Sequence, residues 1–552
     1  LCDRVVTALA QHYRNDRQVI GWQIDNEFNC HMSTSYAPSD TLAFRIWLRD
    51  RYHMLGELND AWGTRFWSQT YSDWDQIDLP HPTSAPANPS QLLDESRFIS
   101  DCIVDFAARQ AAILRRANPK WFVTHNGLFE NVDGPELVKE LDFFSHDQYP
   151  LFHGDWTASA AQLAQARSLS FPFAVLEQQS GPGGQMTYLH RTPRTGEMRL
   201  WALQSVAHGA KTLCFFRWRT CPYGAEQHWH GILDSDDKPN RRSEEATELG
   251  RDLRNLPDDY FDAPVLKSVA LMRDFDNETN DRRINTYTAA GSGELDRWYA
   301  ELSRRHVPVD MVWRDSDLTG YRVLIAPHLK MIEPVVVGHL RRLVEAGGTL
   351  IIGAQSGTKD HCCHSVQSTP PGLLTKLAGI EIEDWTMLNA DESRDARLVG
   401  GPTLSLGTFV ERLRLRGARP IAHWTGDDAL LADAPAITCN AVGEGAVWYV
   451  GGYCPPGAVA TLVDVLIGRR IVLPLVDADE SVEVVARVGK RQTYLTLLNH
   501  SAAPRRVHRG AAVPSDVSFP DAGVEVPRFG VCVVTLKRSP QRPAQKRIRL
   551  KG

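Results

Sequence analysis

Val19-Ile20-Gly21-Trp22-Gln23-Ile24-Asp25-Asn26-Glu27-Phe28-Asn29 is a short apolar run that breaks into a polar cluster. Residues 19–24 read as a buried parallel strand, and the polar residues as the rim at which it ends. In α/β barrels the carboxyl ends of the strands carry the chemistry, which makes Asn26 and Glu27 candidate site residues. A side-chain amide can hold a sugar hydroxyl while a neighbouring carboxylic acid protonates a leaving oxygen, so the pair suits glycoside hydrolysis. Taken alone, Glu27 reads more simply as the start of a solvated loop.

A second strand-end carboxylate changes that reading. Phe171-Pro172-Phe173-Ala174-Val175-Leu176 is another continuous apolar run, and Glu177-Gln178-Gln179-Ser180-Gly181-Pro182-Gly183-Gly184 follows as a flexible polar rim. Two such carboxylates reproduce the logic of glycosidases. Retaining enzymes hold them ~5–5.5 Å apart, and inverting enzymes ~6.5–9.5 Å apart to admit a water. Strands expected at 121–125, 143–146, 173–176 and 212–216 alternate with helices at 96–118, 135–141, 158–168 and 198–208, the pattern of a parallel sheet. With the strand at 19–24 that makes five. A closed (β/α)8 barrel has eight, at roughly 30 residues per unit, so three units, on the order of 90–100 residues, would precede residue 1. The alternative is a smaller open sheet. If 19–24 is the fourth barrel strand, Glu177 ends the seventh, and facing strand ends favour the short separation and retention.

The remaining chain divides by pattern. Residues 41–52 form an apolar-striped helix, 58–67 an aromatic-rich insertion and 79–91 a proline-rich loop. Residues 237–262 are charged and turn-rich, the exit from a first domain spanning 1–262. Strands at 265–272, 321–326 and 349–353 with helices at 295–305 and 335–346, the last closed by Gly347-Gly348, make a flavodoxin-like or amidotransferase-like domain over 263–470. Its first helix is not opened by a glycine-rich phosphate loop, and it reads as structural or for assembly. Short strands at 482–488, 492–498 and 531–536 give a small β domain over 471–540. The end of the chain, 537–552, holds seven Lys or Arg and two Pro and reads as disordered, with a basic tail at 541–552.

Composition narrows the partners. A net charge of −6 over 552 residues disfavours nucleic acid and anionic membranes, and no run approaches the ~18–20 apolar residues of a membrane span. The ten cysteines are scattered, several in apolar runs around Cys214 and Cys532, and read as reduced core thiols of a cytoplasmic protein. His361-Cys362-Cys363-His364 has no separated second ligand pair and reads as incidental rather than as a metal site.

The runs at 21–27, Leu58-Asn59-Asp60-Ala61-Trp62-Gly63-Thr64-Arg65-Phe66-Trp67-Ser68-Gln69, Leu176–Pro182, Ala207-His208-Gly209-Ala210 and Phe215-Phe216-Arg217-Trp218-Arg219 resemble glycoside hydrolase family 42. That resemblance spans nearly the whole chain. It implies a retaining β-galactosidase with a TIM barrel, an amidotransferase-like trimerisation domain and a small β domain, acting on terminal β-galactosides as a homotrimer without a cofactor. It further implies Glu27 as acid/base, Glu177 as nucleophile, Asn26 as the sugar-binding amide and Tyr149 as the hydroxyl near the nucleophile. Glu226 and His230 resemble an acid and imidazole for galactose hydroxyls, but their spacing of four lets Gln227 compete with Glu226. Only Cys30 stands where many members carry a zinc-binding cysteine cluster, so no zinc is expected. A tryptophan common after the nucleophile loop is replaced near Gln185, and the family's sugar-binding arginine belongs to the strands expected before residue 1. His146 and Asp147 read as loop caps or site residues, Arg217 and Arg219 as a salt-bridged rim or substrate ligands, and Trp218 as packing or a sugar platform. The rival readings are an α-L-arabinopyranosidase and a non-catalytic sugar-binding or assembly protein.

Overall fold

The computed structural model describes residues 1–537 apart from 33, 128, 130, 287–292, 491, 514–516 and 518; the expected basic tail lies outside the described residues. The opening stretch forms strand β1 (Gly21–Gln23), which pairs in parallel with β2 (Phe122–Thr124). A parallel bridge between Asn126 and Ser145 leads on to β3 (Ser145–Gln148), and β3, β4 (Phe173–Gln179) and β5 (Ala210–Phe216) continue side by side. Five parallel strands therefore stand in sequence order, with helices between them, as in the wall of a (β/α)8 barrel. Helices Pro89–Ala117, Trp156–Leu169 and Glu197–His208 cover the wall. Ile24, Val123, Ala107 and Leu114 share one buried cluster under β1 and β2, and Phe144, Leu163, Phe173 and Val175 another under β3 and β4.

Local chemistry sets the helix starts. Asn88 accepts from the Ser90 and Gln91 amides with Pro89 in the first turn, so the helix expected from 96 begins seven residues earlier. The segment 237–262, expected to be turn-rich, instead holds the helix Arg241–Asn255, started by an Asn240–Ser243 capping box. Its charge obscures the helical signal because Leu249 is its one buried apolar side chain. Strand β3 lies two residues later than expected and takes in Asp147, and β4 runs past Glu177 to Gln179.

The second region is a large mixed sheet. Its parallel half orders the strands Thr349–Gly353, Val323–Ala326, Val269–Arg273 and Val309–Trp313, a flavodoxin-like order whose last strand the sequence pattern did not reveal. The chain then adds an antiparallel half from Ile380–Met387 to Gly445–Val450 that the sequence pattern did not reveal. The C-terminal domain consists of two three-stranded antiparallel sheets.

Buried polar side chains join the three regions. Arg167 donates to the His208 carbonyl (2.9 Å) and to Asp310 Oδ1 (2.9 Å). Glu483 of the C-terminal sheet accepts from His208 (2.6 Å), His500 (2.9 Å) and Gln204 (2.8 Å). The His361–His364 run sits in another junction, where Ser90 Oγ donates to the Cys362 carbonyl at 2.6 Å and Lys359 Nζ to the buried Cys363 sulfur at 3.1 Å. All ten cysteines are free, but Cys214 is exposed rather than in the core: among the described residues β5 is an edge strand of its sheet, and Lys211, Thr212 and Cys214 along it are exposed on both faces.

Candidate active site

The turn after β1 is built from left-handed backbone. Asp25, Glu27 and Asn29 have φ of 51°, 43° and 66°; for a glutamate this is a costly conformation that its surroundings must enforce. His125, at the end of β2, does so. Its Nδ1 donates to the Ile24 carbonyl (2.8 Å), its Nε2 accepts from the Phe28 amide (3.2 Å), and its ring stacks on Phe28. Those bonds require neutral imidazole, and burial pushes His125 down to about 4.

Asn126 is the hub. Its Oδ1 accepts from Gln23 Nε2 (2.8 Å) and the Glu27 amide (3.1 Å). Its Nδ2 donates to Asp147 Oδ2 (2.7 Å), to Asn26 Oδ1 (3.1 Å) and, at longer range, to Glu177 Oε1 (3.4 Å). One amide thus ties together the ends of four strands.

A register shift brings the carboxylates together. His146 pairs with Val175, but the next residue, Asp147, pairs with Glu177, so β4 carries one extra residue at Leu176. Such a bulge re-aims a side chain, and here it sets two carboxylates directly across the strands. One oxygen each from Glu27, Asp147 and Glu177 lies within 4.8 Å of the others. Tyr149 donates to Glu177 Oε2 at 2.6 Å. Burial raises Glu177 above the usual carboxylate range, the Tyr149 bond opposes that, and the Glu27 and Glu226 charges add to the rise. The donors supplied by Asn126 and Tyr149 fit a cluster that shares protons rather than a cation.

A cavity of about 670 Å³ opens over these groups. Asn26, Glu27, Tyr149, Glu177 and Glu226 line it, and Phe152 and Trp229, stacked 5.7 Å apart, form an aromatic wall. Arg217 holds Glu226 through its carbonyl (2.8 Å) and its carboxylate (3.4 Å), the salt-bridged rim expected for it, and Arg219 lies 3.8 Å from Asp237. Trp218 is exposed, which removes the packing role weighed for it. Of the two side chains weighed for the acid, Glu226 lines the cavity and Gln227 does not. His230 is not brought to the cavity wall either. Its Nδ1 meets Asp234 at 3.1 Å, and its carbonyl accepts from Ser180 in the loop after β4. Gln185, read as standing near the position of a replaced tryptophan, lines the cavity.

Sequence reasoning passed over Asn126 and undervalued Asp147. Asn126 follows an expected strand, the same signal that drew attention to Glu27. Asp147 stands two residues before Tyr149, and its role depends on the bulge, which the sequence pattern does not expose.

A family model described as Beta-galactosidase, of glycoside hydrolase family 42, matches residues 1–256, and one described as Beta-galactosidase trimerisation domain matches residues 267–472. The β-galactosidase BgaH of Haloferax lucentense is 34% identical over 530 residues, 91% of this chain and 77% of that protein. The bgaB β-galactosidase of Geobacillus kaustophilus is 32% identical over 90% of this chain and 75% of its own length. Among solved structures, a β-galactosidase from Bacillus circulans superposes with a TM-score of 0.90 at 28% identity, covering 97% of this chain and 82% of that one. One from Halorubrum lacusprofundi gives 0.85 at 30% identity, covering 96% and 81%.

Proposed function

The chain belongs to glycoside hydrolase family 42, and we propose that it is a retaining exo-β-galactosidase that cleaves terminal β-D-galactosides by double displacement. In this reading Glu177 attacks the anomeric carbon while Glu27 gives its proton to the leaving oxygen. Glu27 then takes a proton from water, which releases galactose from Glu177. The observation that carries the reading is the approach of the Glu27 and Glu177 carboxylates to within 4.8 Å in one cavity. That approach of the two carboxylates favours the short spacing of a nucleophile and acid/base pair over the wider spacing that admits a water for inversion. Two carboxylates suffice for both steps, so the chemistry calls for no cofactor.

Asn26 and Glu226 are the groups we assign to galactose hydroxyls, with Trp229 and Phe152 as the apolar surface for the ring. His230 supports them by holding the loop after β4. The trimerisation-domain match supports a homotrimer, and ten free thiols fit a reducing, cytoplasmic location. Among the described residues no helix is long and apolar enough to cross a membrane.

The test is covalent labelling with a 2-deoxy-2-fluoro-β-galactoside carrying a good leaving group, read by intact mass and peptide mapping. One added sugar on the peptide containing Glu177 is expected. Labelling of a different carboxylate, or turnover with inverted product and no label, would overturn the assignment.

A further inference from the structure

Two carboxylates complete the reaction proposed above, yet the site contains a third. Asp147 lies directly across from Glu177 in the paired strands, an arrangement in which two like charges repel. The acids facing it are Glu27 and Cys30 from the turn after β1 and Glu177 from β4, with the Tyr149 phenol from the turn that follows β3. Its Oδ2 accepts from Asn126, whereas its Oδ1 is buried without a hydrogen-bond partner. An ionised carboxylate with a bare buried oxygen beside two other carboxylates is a costly state. A protonated one is not, because the proton occupies the bare oxygen and can be donated.

We propose that Asp147 is a positioning residue that stays protonated through the catalytic cycle and donates from Oδ1 to Glu27. This inference rests on the double-displacement reading. When Glu27 protonates the leaving oxygen it becomes a carboxylate, and the Asp147 hydroxyl stabilises that charge and holds it in place for the attack of water. Asp147 itself neither gains nor loses a proton: the one Glu27 gives up goes to the leaving group, and the one it regains comes from water. Burial and the Glu177 and Glu27 charges push the Asp147 carboxyl up to about 9, which is consistent with that role. A carboxylic acid kept neutral so that it can donate is an established device of enzyme sites.

The test compares Asp147→Asn and Asp147→Ala with the parent in the full chain. Asparagine reproduces both bonds, an amide oxygen toward Asn126 and an N–H toward Glu27. D147N should keep kcat/KM for an aryl β-galactoside within about threefold of the parent, with the alkaline limb of its pH profile in place. D147A should lose about a hundredfold in kcat. If Asp147 is ionised instead, D147N removes a negative charge beside Glu27, and the alkaline limb moves down by about one pH unit or more. That shift would overturn the proposal. A second readout does not depend on turnover: the infrared difference between parent and D147N at neutral pH should contain a protonated-carboxyl band that shifts in D2O. An absent band refutes the proposal. A chain that shows the band but neither turns over nor labels with a galactoside defeats the functional reading and leaves the proton on Asp147 in place.

Discussion

The Tyr149 hydroxyl donates to Glu177 Oε2 across 2.6 Å while its ring stands edge-on to Trp229 at 5.2 Å. The bond and the packing are separable. Tyr149→Phe keeps the ring and removes a hydrogen bond to a charged group, worth about 1.5–3 kcal/mol. kcat/KM should fall roughly 10–100-fold with no change in melting midpoint. The bond also opposes the rise of the Glu177 pKa. Without it that pKa climbs, and because the nucleophile must be ionised, the acidic limb of the kcat/KM profile should move to higher pH. An unmoved limb would show that Tyr149 does not act on Glu177.

Arg217 grips Glu226 through backbone and side chain and reaches the Trp229 carbonyl at 3.3 Å. If Glu226 binds galactose hydroxyls, Arg217→Ala should free it without touching the reacting carboxylates. Steady-state kinetics should show KM rising several-fold with kcat changing less, the signature of lost uniform binding. An equal fall in kcat and kcat/KM would place Arg217 in transition-state stabilisation instead.

These side chains show which parts of the molecule its sequence displays. Strands β2 and β4 were legible because buried parallel strands read as apolar runs, and Glu27 and Glu177 followed from where the apolar runs at 19–24 and 171–176 end. Helix Arg241–Asn255 was not, since two of its three buried side chains, Arg242 and Glu245, are charged and only Leu249 is apolar. Asn126 bonds to Gln23 across 103 residues of chain, and Asp147 meets Glu177 only through a bulge. Both are facts of register, not of local pattern. The Nδ1–Asp234 contact of His230 spans four residues, yet no local pattern announces it either.

Glu483 gives a prediction about stability. It is buried, accepts from His208, Gln204 and His500, and so fastens the C-terminal sheet to the barrel. Its bonds to His208 and His500 outweigh the cost of burial and hold it at about 2. Removing one partner of such a network costs about 3–5 kcal/mol, so Glu483→Ala should melt well below the parent at neutral pH. The folded pKa lies below the unfolded one, so the contribution of Glu483 is complete above about 4.5 and fades as the pH falls toward 2. His208 adds to the acid sensitivity. Burial lowers its pKa and Arg167 donates to its Nδ1 (2.9 Å), so protonation below its ordinary value near 6.5 favours the unfolded chain. Melting midpoints across a pH series should therefore drop for the parent on acidification, and the gap to Glu483→Ala should narrow below about 4.5. A constant gap would exclude an electrostatic origin.

Gly21, in β1, has a measurable consequence of its own. It pairs with Phe122 in the β1–β2 register, and a Cβ placed there would stand 2.4 Å from the Phe122 ring. The ring cannot move freely, because it packs on Phe143 at 5.1 Å. Gly21→Ala should therefore cost about 1–3 kcal/mol by overpacking. The damage should reach the chemistry as well, since β1 and β2 set the Gln23–Asn126 bond and, through Asn126, the backbone of Glu27. A fall in kcat together with the melting midpoint is expected. Gly56 is the control: it lies in the helix Leu55–Trp62, where an added Cβ meets nothing within 4 Å. Gly56→Ala should leave turnover alone and stabilise the protein by about 0.4–1 kcal/mol. Equal effects of the two substitutions would mean that the close approach at Gly21 does not constrain the turn that bears Glu27.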